Sequence, residues 1–157
     1  MKPCFNGFAG LLGAILWLSG AATGWGGSPT PKVHMRFHVQ ANEVLPKDQL
    51  VPIQLLNPPQ LIYIRKLPEV TERHFQSIER LPSGAVLIQL NAVGRGMLEA
   101  ATSSYQGMIL VVLCNGRVLY DAVIDVPLRD GRFIIPGGMT DEEIRLFQEL
   151  IERNRRA

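Results

Sequence analysis

Val33, Met35, Phe37 and Val39 alternate with His34, Arg36, His38 and Gln40, a period of two that predicts a strand with one buried and one solvent-facing side. A loop follows at 42–50, marked by Pro46, Lys47 and Asp48, and then two extended segments, 51–56 and 61–67, flank Asn57-Pro58-Pro59. Two prolines in succession withdraw two backbone donors, so that join belongs at a turn or a sheet edge. At Thr71 the spacing changes. Phe75, Ile78 and Leu81 recur at helical intervals and Thr71 is a good N-cap, which predicts a helix to about Glu79 that Pro82-Ser83-Gly84 would end.

Residues 85–90 read as a strand, and Asn91 caps a second predicted helix running to about Ser104, with an apolar face of Val93, Met97 and Ala100 or Ala101. Gly94 and Gly96 superficially suggest a phosphate loop, but the third glycine of that fingerprint is replaced by Glu99, whose charge would repel phosphate. Close packing is the expected role of these glycines. Next, 108–114 and 117–125 are apolar, β-rich runs separated by Asn115-Gly116, the pair best suited to a type I′ turn, so an antiparallel hairpin is expected with its first strand buried on both faces. Asp130-Gly131 turns the chain into a strand at 132–135, and Gly137-Gly138 closes the sheet region. The last helix has a capping box, Thr140 with Glu143, a hydrophobic staple, Met139 with Ile144, and the stripe Ile144, Phe147, Leu150 and Ile151. Glu149 with Arg153 and Glu152 with Arg156 are four-residue ion pairs, and Arg153, Arg155 and Arg156 suit the negative end of the helix dipole.

Composition changes this picture little. The chain has 157 residues, 46% hydrophobic and 19% charged, which fits one globular domain. Sixteen Lys and Arg against fourteen Asp and Glu leave a net charge of +2, so no nucleic-acid partner is implied. The amino terminus adds more. Lys2 precedes the apolar stretch 8–18 and the small residues Ser19-Gly20-Ala21-Ala22-Thr23-Gly24, the order of a secretory signal peptide cleaved near Ala22 or Gly24. The rival is an uncleaved anchor at 1–24, opposed by interspersed glycines and the lack of a following basic cluster; only that reading gives a membrane contact. Residues 25–31 then form a flexible Gly/Ser/Thr/Pro linker to a single domain at 32–157. Cys4 lacks the lipoprotein pattern and would leave with the signal, so Cys114 stays alone, expected as a buried small hydrophobe.

Familiar chemistry is scarce. His34 and His38 share a strand face but stand about 13 Å apart along it, too far for one zinc ion, and are expected to face solvent. With His74 they are the only histidines, and none accompanies a nucleophile motif; Ser83, Ser103 and Ser104 sit in turn or helix-end contexts. Asp121 and Asp125 share strand parity at a similar separation, and Asp130 belongs to a turn. No catalytic, cofactor-binding or metal-ligating residue is therefore assigned. An enzyme would need a cleft between the sheet and the 42–50 loop that gathers His34, His38, His74 and the 121–130 acids.

From 84 to 151 the order of motifs is distinctive: a strand ending in Leu90, a helix with Gly94 and Thr102, Gly107 before an apolar strand, the turn Asn115-Gly116-Arg117-Val118, a strand ending Ala122-Val123-Ile124, Gly131, and Gly138-Met139-Thr140 opening a helix with Glu143 and Leu150. This order resembles the head subdomain of the first periplasmic domain of SecD, the membrane subunit that assists protein export. The resemblance implies an α+β fold, an antiparallel β-sheet with about three helices on one face, outside the cytoplasmic membrane. Membrane helices accompany the SecD head, whereas no stretch after residue 31 is apolar enough to span. The implied role is a non-enzymatic, exported interaction domain with a protein or peptide partner in the cell envelope and no cofactor. The strand beginning at Lys32, or 51–56, is the expected free edge for an added peptide strand, with Phe37→Pro as the disrupting change. A structural subunit of an envelope assembly is the further alternative.

Overall fold

The computed structural model describes residues 32–41, 45–56 and 58–156. The expected signal or anchor at 1–24, the linker at 25–31, Asn57 and the 42–44 part of the loop lie outside them. Three short antiparallel sheets carry the fold. The first is built on the predicted hairpin. Asn115 and Gly116 take φ of 50° and 85°, the two left-handed residues of a type I′ turn, and join β7 (Ile109–Cys114) to β8 (Arg117–Val123). β1 (Met35–Val39) pairs with the other side of β7, and β4 (Val70–Thr71) with β1, for the order β4-β1-β7-β8. A second sheet, in the order β5-β6-β9, unites Phe75–Arg80, Val86–Leu90 and Arg132–Ile135. The segments around the two prolines pair with each other as a separate ribbon, β2 (Leu50–Leu56) with β3 (Pro59–Arg65).

β1 is thus an inner strand, not the expected free edge. Phe37 is fully buried in an inner strand and its peptide groups face the β4 side, where its carbonyl accepts from Glu69 N, so Phe37→Pro would remove a core ring and an inner-strand donor and unfold the domain rather than report on an edge. Met35, Phe37 and Val39 enter the main core, while on the opposite face the ribbon adds a second cluster of Leu55, Ile62 and Ile64 on Val111. His38, opposite Val111 in the ladder, is buried under that cover at 4% exposure, where alternation alone predicted a solvent-facing ring.

The helix expected from Thr71 is absent. Thr71 stands at the N-cap position of only one 3-10 turn, Glu72–His74, its N donating to His74 Nδ1, and the chain continues as β5. Its helical spacing comes from a bulge: Phe75 faces Leu90 and Ser77 faces Gln89, so one residue is taken up and Phe75 and Ile78, three apart, both point inward. Two helices remain. In α1 (Ala92–Ser104), Asn91 Oδ1 accepts from Gly94 N at 2.9 Å, as expected of the cap. Its buried residues are Gly94, Leu98, Ala101 and Thr102, whereas Val93 and Met97 are exposed, so the apolar face lies one position further along than the sequence suggested. Gly94 explains the rotation. A Cβ there would sit 2.5 Å from His74 Cβ, whereas one at Gly96 would meet nothing within 4 Å, so close packing holds for the first glycine only.

In α2 (Asp141–Arg156) the capping box forms: Glu143 N donates to Thr140 Oγ1 at 3.2 Å, and Thr140 N to Glu143 Oε2 at 2.9 Å. Its ion pairs differ from those expected. Arg145 joins Glu142 and Glu149, and Arg155 joins Glu152 because its guanidinium also donates to Gln76 O at 2.9 Å and is drawn toward β5.

Gly94→Ala should lower the unfolding free energy by about 1–3 kcal/mol through overpacking. Gly96→Ala should raise it by about 0.5–1 kcal/mol by removing a helical glycine. Urea midpoints of the two variants check the contrast.

Candidate binding site

β8 and β9 are each the last strand of their sheet, and among the described residues no ladder joins them. The peptide groups they turn outward follow from the ladders behind them. Ile124 N donates to Met108 O and Ile124 O accepts from Gly107 N, so alternation turns the amides and carbonyls of Val123 and Asp121 away from β7. Likewise Gly131 O accepts from Leu90 N, which turns Arg132 and Ile134 outward from β6. One of these groups is already taken: Arg132 N donates to Asp130 Oδ1 at 3.0 Å.

Between the two edges lies an open cavity of about 350 Å³, bounded by Tyr120, Ala122 and Val123 on one side, Arg132, Phe133 and Ile134 on the other, and the 124–128 connection. Tyr120 and Phe133, both lining it, meet edge-to-face at 5.2 Å. Val123, Val126 and Ile134 are exposed by 54%, 64% and 53%, an apolar rim, and Asp125 and Arg132 place opposite charges beside it. Outward peptide groups and apolar side chains on facing strands can accept an extended chain: backbone hydrogen bonds from the edges, side-chain burial against the rim.

The residues singled out in the sequence go elsewhere. His34 Nδ1 lies 3.2 Å from Glu72 Oε1, His38 Nδ1 donates to Arg65 O at 2.8 Å, and His74 Nδ1 accepts from Thr71 N at 3.2 Å. Burial lowers the pKa of His38 and the charge of Arg36 acts the same way, against the raising effect of the Arg65 carbonyl. Asp130 is a turn acceptor, Asp121 lies in β8, and Asp125 follows that strand; among the described residues no hydrogen bond links them to a histidine. Ser83 Oγ accepts from Ala85 N within its turn, and Ser103 and Ser104 end α1. Cys114 is fully buried as expected. Burial pushes its thiol up to about 12, with the nearby Glu143 charge acting in the same direction.

Glu143 is a polar junction well beyond the capping role that its sequence position implies. Its carboxylate accepts from Arg117 Nη1 and Nη2 at 2.6 and 2.7 Å, from Asn115 Nδ2 at 3.3 Å and from Thr140 N. It thereby ties the β7–β8 turn to the start of α2. The Arg117 hydrogen bonds, with Thr140 assisting against desolvation, hold the Glu143 carboxyl at about 2.

No family model and no curated protein matches the sequence. Solved structures match the fold, among them two of SecDF. The first, described as "Structure and function of a membrane component SecDF that enhances protein export", aligns with a TM-score of 0.56 and 17% identity over 80% of this chain and 64% of that one. The second, "Crystal structure of SecDF in Super-membrane-facing form", aligns at 0.54 and 18% identity over 78% of this chain and 19% of that one. The fold is SecD-like. Residues 84–157 make up less than half of the chain, so a match over 80% of it extends well before Gly84, where the sequence matches the SecD head less well. The chain spans less than two thirds of either matched chain. No helix among the described residues is long and apolar enough to cross a membrane.

Glu143 binds its proton less readily when folded than its ordinary value of 4.5 allows, so the unfolded chain takes up more protons as acid is added. The stabilisation it gives is present above pH 4.5 and declines toward pH 2. Glu143→Gln should cost about 1–3 kcal/mol at neutral pH and flatten that acid limb in denaturant titrations repeated across pH. Cys114 should resist iodoacetamide in the native domain and react only as the chain unfolds; rapid labelling without unfolding would contradict its burial.

Proposed function

We propose that this SecD-like domain is a non-enzymatic, exported interaction module that holds an extended stretch of polypeptide as an added strand between β8 and β9. The observation that carries this reading is the coincidence of outward peptide groups and exposed apolar side chains at the same residues. Val123 and Ile134 each offer both, on facing edges of one cavity. A folded globular surface would not reach into a gap bounded by two strand edges, whereas an unfolded segment fits it with backbone and side chains at once. The opposite charges of Asp125 and Arg132 favour no single net charge in the partner, which suits recognition of backbone rather than of one sequence. The fold of a membrane component that enhances protein export supports a location outside the cytoplasmic membrane and a polypeptide partner in transit or in the envelope.

Amide hydrogen exchange should slow at Val123 and Ile134 when a reduced, carboxymethylated polypeptide is added. Val123→Pro removes an outward donor without touching the β7 ladder, so the variant should keep its thermal midpoint and bind about tenfold more weakly. Unchanged binding by a folded Val123→Pro variant would overturn the assignment.

A further inference from the structure

A second cavity, of about 320 Å³, opens on the opposite side of β1, where the β2–β3 ribbon covers the sheet incompletely. His34, Arg36 and His38 alternate along the outer face of β1, and the ladder sets Leu113 beside Arg36 and Val111 beside His38. The ribbon reaches over the His38 end with Ile64 and Val51, leaving Arg36 uncovered between them and the Asn115-Gly116 turn, with Lys66 at the rim. Every ionisable residue lining this cleft is basic. His34 is engaged by Glu72 and the His38 ring by Arg65 O, but among the described residues neither the Arg36 guanidinium nor the Lys66 amine has an ion-pair or hydrogen-bond partner. Arg65 and Arg117, by contrast, are paired, with Glu69 and Glu143. Two cations beside the apolar walls of Val51, Ile64 and Leu113 make an amphipathic receptacle, within the size range of small-molecule sites.

We propose that this cleft binds an aliphatic carboxylate, with the anionic group on Arg36 and Lys66 and the chain along Val51, Ile64 and Leu113. The site is separate from the seam between β8 and β9 and does not depend on a polypeptide binding there. A planar carboxylate suits the guanidinium fork of Arg36, and the walls give an acyl chain of several methylenes the contact that a small inorganic anion could not use.

The test is an NMR titration of the full-length protein with sodium octanoate, octanol and acetate, read at the His38 ring and the Asn115 and Gly116 amides. Octanoate should give saturable shifts there; octanol, which lacks the charge, and acetate, which lacks the chain, should each bind at least about tenfold more weakly. Arg36→Gln and Lys66→Gln alter exposed side chains, keep the fold, and should each weaken octanoate by about tenfold. Absence of saturable shifts, equal binding of octanol or acetate, or undiminished binding by both variants would each overturn the proposal.

Discussion

A row of aromatic rings holds the two larger sheets together. Phe37, from the inner strand of one sheet, meets Phe133 of the other at 4.9 Å and Phe75 at 6.3 Å; Phe133 continues to Tyr120, and Phe75 to Phe147 of α2. Since no ladder joins the sheets among the described residues, side-chain packing takes the place that backbone pairing would have in a continuous sheet. Tyr120 and Phe133 touch beside the gap between β8 and β9, where two strand edges lie without a partner among the described residues. Most domains shield such edges, because they invite association. Here the shielding is partial, one amide tied back by Asp130, and the exposed valines and isoleucine lie beside the rest.

The hairpin, the final helix and its capping box were legible because their signals are local: Asn-Gly between β-rich runs, and Thr-x-x-Glu before an apolar stripe. The failures were tertiary. A bulge at Phe75 imitates helical spacing within a strand, and one residue's displacement is invisible without the partner Leu90. On α1, Val93 and Met97 supply an apolar face in sequence, yet the helix turns its glycine inward so that it can approach His74. His38 looked solvent-facing because alternation tells which side of a strand a residue occupies, not what lies above that side.

The candidate seam was harder to see. Its apolar residues, Val123, Val126 and Ile134, stand in segments read as ordinary strand and connection, and nothing in their spacing announces that β8 and β9 would lie side by side without pairing. The available signal was parity: Val123 and Ile134 fall on the outward positions of strands that otherwise alternate. Glu143 was underestimated for a related reason. A capping box accounts for one carboxylate from sequence alone, whereas Arg117 and Asn115 arrive from a turn far away in the chain.

The β2–β3 ribbon has a different standing from the rest. Its ladder is internal, and among the described residues it meets the remainder through one bridge, Gln40 with Ile64, the bond from Ala41 N to Tyr63 O, the His38 contact to Arg65 O, the bonds of the Arg65 guanidinium to Glu69 and Tyr105, and an apolar cluster centred on Leu55, Ile62, Ile64 and Val111. The main core contains none of the ribbon's side chains. Such a unit can detach without dissolving the aromatic row, so the domain has two tiers of cooperativity, with the ribbon opening at a lower free-energy cost than β1, β6 and β7. Each such opening would hydrate His38 and uncover the outer face of β1, making the cover over that face a breathing lid rather than a fixed wall.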